Sequence, residues 1–417
     1  MAFLHERLDN GLEVIAETTA SAVSTSVGFF VSTGARDERD DLWGVSHFLE
    51  HMVFKGTVDL SADDINRRFD AMGASANAFT GEEDTVYYAA VLPRQQHEAV
   101  ELLARMMRPA LREEDFTTEK LVIQEEIRMY DDQPPFGADD RCRAAFFGRH
   151  PLARSVLGTT ESIQALPVEA MRDYHRRRYG PGTVVLAASG AVDFPALVES
   201  ARRLCGEWEP VPAHDRRVAD APRTPADGGL ERIVRPSATL AYAVRMAAGP
   251  TETDPDRYAA KLLSVVLGDS SGSRLYWALV DGGDAEQASL GHQDFLDAGL
   301  FVTQLSCDAA DADDLLARIL DIYAQARDGG IDTREFTQAR NKLAGRVVLG
   351  GERPRRRLFD VGLEWSHSRT YRSVADTLGI VESLSLDDVQ RVLSTWAPDG
   401  PAATVLAGPD AAADAAS

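Results

Sequence analysis

Two histidines and a glutamate stand close together in Gly44-Val45-Ser46-His47-Phe48-Leu49-Glu50-His51-Met52-Val53-Phe54-Lys55-Gly56-Thr57. Val45, Phe48, Leu49, Met52 and Val53 recur at helical spacing, which predicts an amphipathic, largely buried helix. Each helical residue turns by about 100°, so His47 and His51 project from one face, a turn apart. Two imidazoles placed in that way can hold one zinc ion. Glu50 lies three residues after the first and beside the second. It can reach a water at the metal without being a ligand, which is where a general base must stand.

The same three residues could instead be solvated on an ordinary surface helix. Their surroundings are apolar, however, and polar side chains on a buried helix need partners. A metal supplies one. The spacing H-x-x-E-H is also the inverted form of the H-E-x-x-H motif of zinc peptidases. Such sites use three protein ligands plus water, and a carboxylate is a common third. The stretch Phe116-Thr117-Thr118-Glu119-Lys120-Leu121-Val122-Ile123-Gln124-Glu125-Glu126-Ile127-Arg128-Met129-Tyr130 consists mostly of strong helix formers and offers Glu125 and Glu126. Glu119 precedes Glu126 by two turns on nearly the same face, so that face shows two carboxylates. A solvated acidic face would look the same.

Strands and helices must bring these segments together. Residues 7–32 alternate around Asn10-Gly11, predicting a hairpin and a third strand. A helix over 61–72 opens at Ser61, with Asp63 and Asp64 in its first turn. Two strands joined by the acidic turn Gly81-Glu82-Glu83-Asp84 follow. The first contains Ala76-Asn77-Ala78-Phe79-Thr80, whose small residues suit an edge that accepts an extended chain, or simply a weak edge. Further helices are expected over 93–107, 168–179 and 194–207, a loop over 150–158, and a buried strand over 183–190. Residues 210–229 carry Pro, Ala, Asp and Arg without periodicity and read as a linker.

Beyond it the order recurs: strands at 231–234 and 240–248, a helix at 255–267, and a small-residue turn, 268–273, feeding a helix over 274–280. Strands near 288–293 and 300–307 and helices over 312–327 and 332–349 follow. The turn lacks the Lys-Ser/Thr of a phosphate-binding loop, so nucleotide binding is discounted. The recurrence points to duplication with the metal ligands kept in one copy. The expected division is a zinc-binding domain over 1–212, a linker over 213–229 and a homologous domain without metal ligands over 230–408. The chain from Ala407 is small and acidic, and 409–417 is expected to be disordered.

At 417 residues, 44% apolar and 26% charged, the composition is that of a soluble globular protein of more than one domain. The apolar runs are too short to span a membrane, and the N-terminus lacks the features of a signal peptide. A cytoplasmic location is expected. Cys142, Cys205 and Cys307 are far apart and form no metal or disulfide pattern. The net charge of −22, from 66 acidic and 44 basic residues, argues against nucleic-acid and anionic-membrane partners. It would favour cationic peptides, or merely keep the protein soluble.

Taken together, the chain resembles the pitrilysin/insulinase family of zinc metallopeptidases, in its short bacterial, processing-peptidase-like branch. The resemblance rests above all on His47-x-x-Glu50-His51 with Glu126. Leu8-Asp9-Asn10-Gly11-Leu12, Asn77-Ala78, Glu125-Glu126-Ile127, His150-Pro151-Leu152, Leu157-Gly158-Thr159, Tyr179-Gly180-Pro181 and Ser273-Arg274-Leu275 support it. It implies an α+β fold of two homologous sheet-and-helix domains forming half of a clamshell-like chamber. It further implies one zinc per chain on His47, His51 and Glu126, with Glu50 as base and Glu119 tuning the site. Peptide substrate would add as a strand near Asn77 and Ala78. There is one departure: Val280 and Gln287 stand where active members carry a substrate-anchoring Arg and Tyr. That implies a zinc-bearing subunit whose paralogous partner supplies the anchors. A self-sufficient homodimer and a non-catalytic structural subunit are the alternatives.

Overall fold

A computed structural model describes residues 1–213, 216 and 221–409. Part of the expected linker and the tail from residue 410 therefore lie outside the described residues. In chain order the first elements are β1 (Ala2–Arg7), β2 (Glu13–Thr18), β3 (Thr25–Val31), α1 (Val45–Val53), α2 (Ala62–Met72), β4 (Ser75–Thr80) and β5 (Thr85–Val91). Next come α3 (Gln96–Met106), α4 (Glu113–Asp132), α5 (Ala138–Phe147), α6 (Thr160–Ala165), α7 (Val168–Arg178), β6 (Val184–Gly190) and α8 (Phe194–Cys205). After these come β7 (Gly229–Val234), β8 (Ala241–Ala248), α9 (Arg257–Gly268), a π-helical turn (Tyr276–Val280), β9 (Gln287–Asp294) and β10 (Gly299–Cys307). The chain closes with α10 (Ala312–Gly329), α11 (Thr333–Gly351), α12 (Pro354–Ser368), α13 (Val374–Ser383), α14 (Leu386–Trp396) and β11 (Ala402–Gly408).

The α+β class is as expected, with two sheet-and-helix domains. One sheet runs β1-β2-β6-β3-β5-β4 and the other β7-β11-β8-β10-β9. Without β1 the two orders correspond strand for strand. Each begins with a parallel pair, β2 with β6 and β7 with β11, and continues antiparallel. Small devices recur as well. Lys120 lies 5.1 Å from the Phe116 ring and donates to the carbonyls of Gln164 and Leu166. Arg340 lies 5.1 Å from the Phe336 ring and donates to those of Glu382 and Leu384. These paired details carry the duplication further than element order could.

Two compact units result, and they interleave along the chain. The first comprises Met1–Ile127, Arg154–Asp215 and Val348–Ala375; the second comprises Arg128–Ala153, Arg216–Val347 and Asp376–Ser417. Strand alternation explains the first unit's core. Val27, Phe29, Val31, Tyr87, Leu186 and Ala188 face one side of its sheet, in the cluster that also holds Val45, Phe48, Leu49 and Met52 of α1. Ile15, Phe30, Val86, Val185 and Ala187 face the other and lie under Leu358 and Val361 of α12. Helix and strand approach so closely there that a Cβ on Gly362 would meet the Phe30 ring at 2.3 Å. The contact is pinned by a buried ion pair, Arg357 Nε to Glu17 Oε1 at 2.8 Å and Nη2 to Oε2 at 2.6 Å. Tyr371 also donates to Glu17, at 2.8 Å. In the second unit α5 covers the equivalent face, Cys142, Phe146 and Phe147 clustering with Val244, Met246 and Val405.

Some elements differ from the periodicity reading. The helix expected over 274–280 forms, but from Tyr276 to Val280 it is wound as a π-helical turn. Ala407 and Gly408, read as the start of the tail, close β11. Alanine and glycine look alike in a buried strand and in a solvated tail, because neither carries an apolar side chain large enough to mark a face. Among the described residues no helix is long and apolar enough to cross a membrane.

Candidate metal centre

The motif helix starts where only glycine fits. Gly44 has φ +89°, and a Cβ there would meet Ile163 Cδ1 and the Leu157 carbonyl oxygen at 2.8 Å each. The first turn of α1 finds its acceptor in Glu38, whose two oxygens take the N–H groups of Gly44 and Ser46 at 2.7 Å each. Glu38→Ala leaves these buried donors unpaired and is expected to cost about 1–3 kcal/mol for each. An unchanged urea midpoint would show that Glu38 does not hold this helix.

Helix α4 meets α1 through Phe116, which stacks on Phe48 with centroids 4.6 Å apart. Ile123 and Ile127 bury the rest of that face, which turns Glu119 and Glu126 toward the histidines. His47 and His51 lie 4.7 Å apart between ring centroids. Glu126 Oε1 is 3.8 Å from His47 Nε2, and Oε2 is 3.6 Å from His51 Nε2. One donor atom from each of the three lies within 4.8 Å of the others. Glu125, the other sequence candidate, is exposed on the helix's outer side. Glu119 instead bonds His51 Nδ1 at 2.8 Å through Oε1, while its second oxygen pairs with Lys55. Glu50 stays outside the donor cluster, and its Oε2 accepts from Thr80 Oγ1 at 2.6 Å.

Burial, and secondarily the charge of His51, push His47 down to about 3, so its imidazole is neutral with a free lone pair. Burial also acts against a charge on His51, but the bond to Glu119 and the charges of Glu126, Glu119 and Glu50 outweigh it and raise its pKa. Glu119 likewise resists burial through His51 and Lys55 and ends below the usual carboxylate range. Burial raises Glu50, against the Thr80 bond, and raises Glu126.

This donor set fits zinc. His51 is oriented through Nδ1, which leaves Nε2 for a metal, and His47 likewise turns Nε2 toward Glu126. Bonds of about 2.0–2.2 Å in a tetrahedron place ligand atoms roughly 3.3–3.6 Å apart, close to the separations seen. Three carboxylates, Glu50, Glu119 and Glu126, meet one ammonium, Lys55, an excess that a divalent cation offsets.

Beside this cluster, β4 is the edge of its sheet, paired among the described residues on one side only, with β5. Asn77 is exposed and Ala78 is buried. In the second unit, Val280 is half-buried against that unit's core, while Gln287 opens β9 and is exposed. Lys55 and Thr80 escaped the sequence reading. Lys55 had one signal, its place one turn beyond His51. Thr80 had another, its place two residues after Ala78 and so on the same strand face.

The insulinase (peptidase family M16) model matches residues 13–160, and that of the peptidase M16 inactive domain matches 165–343. An uncharacterized zinc protease of Streptomyces coelicolor is 32% identical over 92% of this chain and 85% of its own. The chain belongs to the M16 peptidase family. Within M16 it is also similar to a probable mitochondrial-processing peptidase subunit beta of Arabidopsis thaliana, at 27% identity over 96% of this chain and 77% of that one. Among solved structures, a protease from Helicobacter pylori superposes with a TM-score of 0.91 at 21% identity, covering 98% of this chain and 99% of that one. A chain of complex III2 from Candida albicans gives 0.83 at 18%, covering 97% and 95%. These two likenesses concern the M16 fold alone.

Proposed function

We propose that this M16 chain is a zinc-dependent endopeptidase subunit acting on short or unfolded peptide segments, in the cytoplasm. The observation that carries the reading is the placement of His47, His51 and Glu126 as one donor cluster, with Glu50 beside it and outside it. Zinc held by those three residues would polarise the scissile carbonyl and make water more acidic. The chain's own groups do the rest. Glu50 takes the proton of the attacking water through the oxygen that Thr80 does not occupy, and then returns it to the leaving amine. Its other oxygen, Oε2, stays anchored to Thr80. Glu119 holds His51 in the tautomer that presents Nε2, and Lys55 holds Glu119. The open edge of β4 at Asn77 and Ala78 offers backbone groups to a substrate strand.

The anchoring function is assigned to a second chain. Neither Val280 nor Gln287 can give the charge-assisted bonds of an arginine, so a paralogous subunit carrying those groups completes the site. A homodimer is the simpler assembly, and it would need another anchor.

The test is cleavage of a mixed quenched-peptide pool by the zinc-loaded chain, alone and with a candidate paralogue, using Glu50→Gln as control. Cleavage only with the paralogue supports the paired subunit. Cleavage by the chain alone supports the homodimer, and none in either case refutes the peptidase. His51→Ala is expected to lose zinc even when freshly loaded and dialysed. Metal analysis that shows the parent's content would remove His51 from the ligand set.

A further inference from the structure

Glu50 is a long side chain at the rim of a metal centre, and a base is useful only when its basic oxygen is held within reach of the reacting water. Among the described residues its one hydrogen-bond partner is Thr80, whose hydroxyl donates to Oε2 at 2.6 Å. Thr80 is well suited to hold something still. It is β-branched and stiff about χ1, and it lies in the last register pair of β4, opposite Thr85. Strand alternation puts Ala76, Ala78 and Thr80 on the face toward α1, and Ser75, Asn77 and Phe79 on the other. The strand whose free edge would receive a peptide therefore also carries the group that touches the base.

We propose that Thr80 is a positioning residue for Glu50: its hydroxyl fixes the carboxylate through Oε2, leaves Oε1 as the basic oxygen, and ties the base to the strand that receives the substrate. The inference rests on the reading of Glu50 as general base. A neutral hydroxyl donating to a carboxylate makes a strong, short bond and sets its direction. Two small residues, Ala76 and Ala78, precede Thr80 on its face.

Thr80→Val removes the hydroxyl and keeps the shape and the strand preference; Thr80→Ser keeps the hydroxyl. With the zinc-loaded protein, in whichever assembly cleaves the peptide pool, Thr80→Val is expected to lower kcat by about 10- to 100-fold. KM should stay within about twofold and zinc content should match the parent. Thr80→Ser should return kcat to within a few-fold of the parent. Full activity in Thr80→Val, or equal losses in the Val and Ser variants, would overturn the proposal. A crystal structure of each zinc-loaded variant gives a readout independent of turnover. Glu50 is expected to leave its position in the Val variant and keep it in the Ser variant, and an unmoved carboxylate in Thr80→Val overturns the inference. Turnover surviving Glu50→Gln would instead remove the base reading, and the crystal structures would still decide whether Thr80 holds the side chain.

Discussion

Glu50→Gln is expected to reduce kcat by about 10²–10⁴-fold while zinc content stays at the parent level. The substitution is nearly isosteric and keeps an oxygen that can accept from Thr80, so local structure should persist. What it removes is the ability to take a proton. The three donors at the centre, His47, His51 and Glu126, are untouched, and Glu50 is not among them. KM should change little, because substrate binding is assigned to the edge of β4 and not to this carboxylate. A loss of metal together with activity would mean that Glu50 is a ligand. Undiminished kcat at full zinc occupancy would place the base elsewhere.

Arg357→Ala is expected to destabilise the first unit by about 3–5 kcal/mol, because it leaves a buried carboxylate without its partner. Glu17 is fully buried and the Arg357 side chain is 6% exposed, so water cannot take over the lost bonds. The Tyr371 hydroxyl remains on Glu17 but carries no charge. Replacing both members by apolar residues, Glu17→Met with Arg357→Leu, should cost much less than the single change, since no charge is then stranded. Urea unfolding followed by the fluorescence of Trp365, on the same helix, would report both. If the double variant proved no more stable than Arg357→Ala, the loss would come from packing against Phe30 and its neighbours and not from the ion pair.

The grouping of the candidate residues was legible in the sequence because it is local. His47, Glu50 and His51 share one helix, where a turn of about 100° per residue is enough to say which side chains meet. Glu119 and Glu126 share another, and the same arithmetic puts them on one face. The hairpin at Asn10-Gly11 and the cap at Ser61 were legible for the same reason, since turn and cap chemistry is contained in a few adjacent residues. The choice between Glu125 and Glu126 was not open to the residues alone. It depended on Phe116 stacking on Phe48, which rotates α4 so that Glu126 faces the histidines.

Thr80 and Lys55 were hidden in the same way, for each matters only through a neighbour that another element brings to it. The exchange that puts α12 in the first unit and α5 in the second was hidden more deeply. Both helices are amphipathic, and periodicity shows that a face must be covered without showing which sheet will cover it. Glu17 and Arg357 are 340 residues apart, and no local pattern marks either as the other's partner. The residues by themselves determined which atoms could hold a metal and move a proton. The tertiary structure decided which carboxylate turns inward, which hydroxyl meets Glu50 and which helix closes the sheet, because each depends on packing between segments remote in the chain.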